Sequence, residues 1–117
     1  GIPLTQTSPD ASPLVIWEGS HHIMRKHMGD LLRQHAPADW PDIDLTETYQ
    51  SARRHVFDAC KRVQIHANPG ESYVIHRLAL HGVAPWSPAA NAPEEGRVIA
   101  YFRPELTGAI SDWIETR

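Results

Sequence analysis

Cysteine is almost missing from this chain. Cys60 is the single thiol in 117 residues, which excludes an internal disulfide framework and fits a reducing compartment, so a cytoplasmic setting is expected. Long apolar runs are missing as well: none approaches the roughly 18 residues of a membrane helix, and no membrane partner is expected. Blocks of one charge are absent, because 11 Lys and Arg are interspersed with 14 Asp and Glu for a formal net charge of −3. Without a basic face, nucleic acid is not expected as a partner. The chain also lacks Cys-x-x-Cys, His-Glu-x-x-His, Gly-x-Ser-x-Gly and any Gly-rich phosphate loop. Structural zinc, a serine nucleophile elbow and nucleotide or dinucleotide binding lose their usual signals.

What is present is 41% apolar residues, enough for one modest core and one domain. The opening Gly1-Ile2-Pro3-Leu4 is apolar and has no initiating Met, which reads as an interior start, since free termini are usually polar and loose. A chain cut from a longer one exposes surface that the rest once covered, so a homo-oligomer through that surface is expected.

Leu14-Val15-Ile16-Trp17 is a short apolar run suited to a buried strand, ended by Gly19. Ser20 is placed to cap a helix whose inward-facing positions Ile23, Met24, His27, Met28, Leu31 and Leu32 recur at helical spacing, closed by Ala36-Pro37. Asp44-Leu45-Thr46-Glu47 has the form of a capping box ahead of a second helix reaching about Ala59. Val63 to Ala67 alternates as a half-buried strand does, Asn68-Pro69-Gly70-Glu71 supplies a turn, and Tyr73-Val74-Ile75-His76 reads as the returning strand. Pro85 to Glu95 is a Pro-rich loop before a strand from Arg97 to Arg103 that Pro104 stops. In the tail, Ile110, Trp113 and Ile114 share one face of a short closing helix. The pattern predicts a mixed α+β fold: a sheet sandwich carrying helical insertions, with a helical part over 20–60, core strands over 61–104 and a tail over 105–117.

Eight histidines invite a metal reading, and spacing has to decide it. His21 and His22 are adjacent at a helix start, where successive side chains diverge by about 100°, which favours capping or solvent roles. His27 and His35 stand two turns apart, too far for joint ligation. His55 and His66 have no Cys, Asp or Glu at a zinc-site spacing. His76 and His81 are five apart, so an unbroken strand would point them to opposite faces, and only a bend near Arg77 would bring them together. Cys60 has no base or acid partner at hand and reads as a small buried apolar residue. Arg97, at the head of an apolar strand, is able to form a bidentate pair with a carboxylate or a surface salt bridge, and Arg103 competes with it on the same strand.

Taken together, Ser12-Pro13-Leu14-Val15-Ile16-Trp17-Glu18-Gly19-Ser20-His21, Gly70-Glu71, Leu80-His81-Gly82 and Arg97 resemble the phytanoyl-CoA dioxygenase family over roughly Leu14 to Arg103. Members are Fe(II)- and 2-oxoglutarate-dependent oxygenases on a double-stranded β-helix. The resemblance therefore implies a partial jelly-roll or cupin-like fold, the downstream part of a larger domain that hydroxylates a small organic or acyl substrate. It implies that His81 is the distal iron ligand and Arg97 the clamp for the 2-oxoglutarate carboxylate; His76 and Trp86, in the same stretch of sequence, are candidates to stand next to the metal ligands or to touch the substrate. The family's other two ligands form a His-x-Asp motif, and neither His-x-Asp nor His-x-Glu occurs in these residues. With one ligand of three, the chain is expected to bind iron poorly and to be inactive by itself. Two other classes remain open: a non-catalytic jelly-roll module for binding or oligomerisation, and a cupin-like metal protein in which His76 joins His81.

Overall fold

In the computed structural model, residues 1–105, 107–109 and 111–115 are described. In chain order the elements are β1 (Ile2–Pro3), β2 (Leu14–Trp17), α1 (Ser20–Leu32), a 3₁₀ helix (Pro37–Asp42), α2 (Thr46–Ala59), β3 (Arg62–Ile65), β4 (His81–Val83), β5 (Ile99–Ala100) and α3 (Asp112–Glu115). The fold is mixed α and β, with two small sheets, and no closed barrel forms among the described residues. The chain divides into two compact units. One comprises Gly1–Ile16, Arg62–His76 and His81–Arg103, and the other Trp17–Lys61, Arg77–Leu80 and Pro104–Arg117.

The first unit is built on strands. Its three-stranded sheet has the order β3-β2-β4. β2 runs antiparallel to β4 with Leu14 opposite Val83, Val15 opposite Gly82 and Ile16 opposite His81. β2 is central because its apolar run buries Leu14 and Val15, as a strand covered on both faces requires. The second sheet pairs β1 with β5, Ile2 opposite Ala100 and Pro3 opposite Ile99, and a bond from Leu4 N–H to the Val98 carbonyl at 2.9 Å extends it.

The second unit is helical. α1 turns Met24, Met28 and Leu32 inward and α2 turns Ala52 and Val56 inward, and Trp40, Leu78, Leu80 and Ile114 complete the same cluster. The helical positions recur at four-residue spacing, which lies on the stripe that a helix buries. Gly19 precedes α1 with φ of +75°, a left-handed conformation that ends β2 and that glycine adopts without strain. Asp44 accepts the Thr46 N–H at 2.9 Å at the start of α2, and the Thr46 side chain first, then this backbone bond, hold its carboxyl below the usual range.

Several expectations are corrected. Tyr73–His76 is not a strand: β3 pairs with β2 instead, and Tyr73 exchanges two backbone bonds with Gly1, at 2.8 and 3.1 Å. Val74 is consequently 97% exposed. The strand expected over Arg97 to Arg103 shrinks to Ile99–Ala100, because its partner β1 offers only two residues, and Tyr101 and Phe102 are exposed. Ser20 does not cap α1 but begins it, and its buried hydroxyl accepts the Leu80 N–H at 2.8 Å. The Asn68–Glu71 turn does form, closed by Glu71 N–H to the Asn68 carbonyl at 3.0 Å. In the tail Ile114 is buried while Trp113 is partly exposed, and Ile110 lies outside the described residues.

Candidate functional site

Arg97 follows Gly96, whose φ of +79° turns the chain out of the Pro-rich loop. Its backbone is fixed from both sides by one side chain. The Thr5 hydroxyl donates to the Gly96 carbonyl at 2.8 Å and accepts the Val98 N–H at 2.9 Å, so a loop residue 92 positions upstream sets where the guanidinium starts. Arg97 is half-buried and lines a shallow concavity with Thr5, Thr7, His66 and Tyr73. Its space, about 20 Å³, suits a group the size of one water molecule or one carboxylate oxygen. No carboxylate pairs with Arg97 among the described residues.

Tyr73 adds a neutral donor. Its hydroxyl is buried and makes no hydrogen bond of good geometry. Burial foremost, then the neighbouring Tyr101 hydroxyl, push the Tyr73 phenol up to about 12, while Arg97 opposes the rise. The phenol therefore stays protonated at neutral pH and keeps its O–H for an acceptor. A guanidinium with a neutral hydroxyl beside it, free of a competing protein carboxylate, is chemistry for an anion with a planar oxygen pair.

His81 opens β4 opposite Ile16, is exposed, and does not line the concavity that Arg97 lines. His76 is half-buried at the end of an irregular segment, and Trp86 bridges to Ala11 beyond β4. His76 and His81 do not share a strand, because a turn begins at Arg77, where Arg77 Nε donates to the Trp113 carbonyl at 2.8 Å and Leu78 enters the helical core. No unbroken strand therefore sets His76 and His81 on opposite faces. Among the described residues no group of three or more His, Cys, Asp or Glu side chains is arranged to hold a metal ion. Three ligands for a resident iron are thus not gathered among the described residues, while Arg97 and Tyr73 line one concavity.

Two histidine arrangements escape spacing arguments. His21 and His22 stack, with ring centroids 3.9 Å apart, and burial, with the charges of His22 and Arg25, holds the His21 imidazole below its usual value. His27 on α1 and His55 on α2 meet, Nε2 to Nδ1, at 3.1 Å. Cys60 is free and half-buried against the helical core. The Thr5, Thr7 and Tyr73 side chains around Arg97 were equally beyond reach, because no motif joins residues at the two ends of the chain. No helix among the described residues is long and apolar enough to cross a membrane. Comparison with family models, curated proteins and solved structures gives no match.

Proposed function

We propose that this chain is the downstream part of an Fe(II)- and 2-oxoglutarate-dependent oxygenase of the phytanoyl-CoA dioxygenase kind, in which Arg97 receives the 2-oxoglutarate carboxylate. The observation that carries the reading is the half-buried Arg97 guanidinium beside the protonated Tyr73 phenol, with no described carboxylate against it. A second observation supports it: the strand that leads into Gly19-Ser20-His21 pairs with the strand that opens at His81, so two separated segments of the resemblance are neighbours. In this reading the sheets belong to a partial jelly roll with helical insertions. Arg97 binds and orients the cosubstrate, Tyr73 donates to it, and Thr5 holds the Arg97 backbone in place.

His81 is assigned one iron imidazole, with His76 and Trp86 near the metal or a small organic or acyl substrate. Three metal-ligating side chains are not grouped among the described residues, so in this reading further iron ligands come from outside them and the chain by itself is expected to turn over no cosubstrate. A cytoplasmic setting keeps Cys60 reduced. A non-catalytic carboxylate-binding module is the second reading, favoured by the position of His81 outside the concavity lined by Arg97.

Calorimetric titration with 2-oxoglutarate tests the proposal. Affinity is expected to fall at least tenfold in Arg97→Ala and to be partly retained in Arg97→Lys. Equal affinity in the wild type and Arg97→Ala overturns it. In a longer chain that carries a His-x-Asp segment, iron-dependent binding lost in His81→Ala separates the oxygenase from the module.

A further inference from the structure

α1 and α2 carry one imidazole each to the same point of their shared face. His27 Nε2 lies 3.1 Å from His55 Nδ1, with ring centroids 5.4 Å apart and planes at 68°. Both residues retain solvent access. The contact needs one nitrogen with a proton and one without, and a cation able to replace that proton would find two neutral imidazole lone pairs side by side. Ligand nitrogens about 2.0–2.1 Å from a metal stand about 2.9 Å apart at a right angle and about 3.4 Å apart at the tetrahedral angle. The observed separation falls between these limits.

The two rings are also held in place by what lies beneath them. Met24 and Met28 on α1 and Ala52 and Val56 on α2 are buried in one cluster, so neither helix has to reorganise to bring the donors together. Preorganisation of this kind is what raises the affinity of a two-point ligand over either point alone. Asp30, one turn along α1 from His27, supplies negative charge nearby while ion-paired to Lys26 at 2.6 Å.

We propose that His27 and His55 form a two-imidazole site for a late first-row divalent cation, Cu(II) most strongly and Ni(II) or Zn(II) less so, that clips α1 to α2. The donor type selects these ions, since imidazole suits copper, nickel and zinc, and their order follows the Irving–Williams series. Water completes the coordination at the exposed side. The site is independent of the Arg97 reading and uses none of its residues.

Zn(II) alone, added to the whole 117-residue chain and followed by imidazole NMR, is expected to move the His27 and His55 ring signals together before those of any other histidine. Calorimetry with Cu(II) is expected to show a strongest site that weakens at least tenfold in His27→Gln and equally in His55→Gln. The double variant His21→Gln, His22→Gln is expected to leave that site unchanged. Cu(II) should raise the Tm of the wild type and of the His21, His22 variant but not of the other two. If the earliest shifts fall on other histidines, or if affinity survives both single replacements, the proposal is wrong. The NMR result stands on the wild type and so holds even if a variant folds poorly.

Discussion

The Ser20 hydroxyl accepts the backbone N–H of Leu80 at 2.8 Å, across 60 residues of sequence, and Ser20 is fully buried. The bond ties the first turn of α1 to the residue that precedes His81, and a second one, from Trp17 N–H to the Leu80 carbonyl at 3.1 Å, satisfies the other polar group of the same peptide position. Ser20→Ala leaves a buried N–H without an acceptor, a loss of about 1–3 kcal/mol. Urea denaturation of the variant should show a lower midpoint with an unchanged slope, and a midpoint equal to that of the wild type would remove this role.

Val56 and Val74 are the same residue type in opposite surroundings: Val56 is fully buried in the helical core and Val74 is 97% exposed. Val56→Ala should cost about 2 kcal/mol from lost transfer and the cavity left behind. Val74→Ala should change stability by less than about 0.5 kcal/mol. A large loss in Val74→Ala would mean that Tyr73–His76 is a core strand after all.

Tyr73 gives a pH dependence whose sign is fixed. Its folded phenol sits at about 12 against an ordinary 10.0, raised chiefly by burial, so the unfolded chain ionises first. Stability present below pH 10 is therefore lost as pH rises toward 12. Tyr73→Phe removes that component and, because the hydroxyl makes no hydrogen bond of good geometry and only a weak contact with Tyr101, should be close to neutral at pH 7. Thermal melts of both proteins from pH 7 to pH 11 measure the difference.

Thr5 is a positioning residue for Arg97. Thr5→Val removes the two bonds that flank it, worth about 1 kcal/mol each when made. We expect a three- to tenfold weaker affinity for 2-oxoglutarate with retained folding, and Thr5→Ser should recover most of it. Affinity unchanged in Thr5→Val would detach Thr5 from the site.

The helices were legible because their apolar positions repeat every three or four residues, and Met24, Met28, Leu32 and Val56 do point inward. Strand Leu14–Trp17 was legible for its unbroken apolar run, and the Asn68–Glu71 turn for its Pro-Gly pair. The strand expected at Tyr73-Val74-Ile75-His76 does not form because a short β-prone run does not say which backbone it meets: β3 lies beside β2 and the Tyr73 backbone pairs with Gly1. Ser20 looked like a cap because it stands beside a helix start, where its neighbour Gly19 takes the cap position instead. Around Arg97 the sequence offered the guanidinium but not Thr5 or Tyr73, and it kept His27 apart from His55, because those contacts depend on tertiary packing rather than on spacing.

The central claim is that Arg97 and Tyr73 receive a carboxylate of 2-oxoglutarate, and amide chemical-shift mapping of the isotope-labelled chain tests it most directly. The account predicts that 2-oxoglutarate perturbs the amides of Thr5, Thr7, Tyr73, Arg97 and Val98 together, and that Arg97→Ala abolishes the pattern. Perturbations that persist in Arg97→Ala, or that cluster away from these residues, would contradict it.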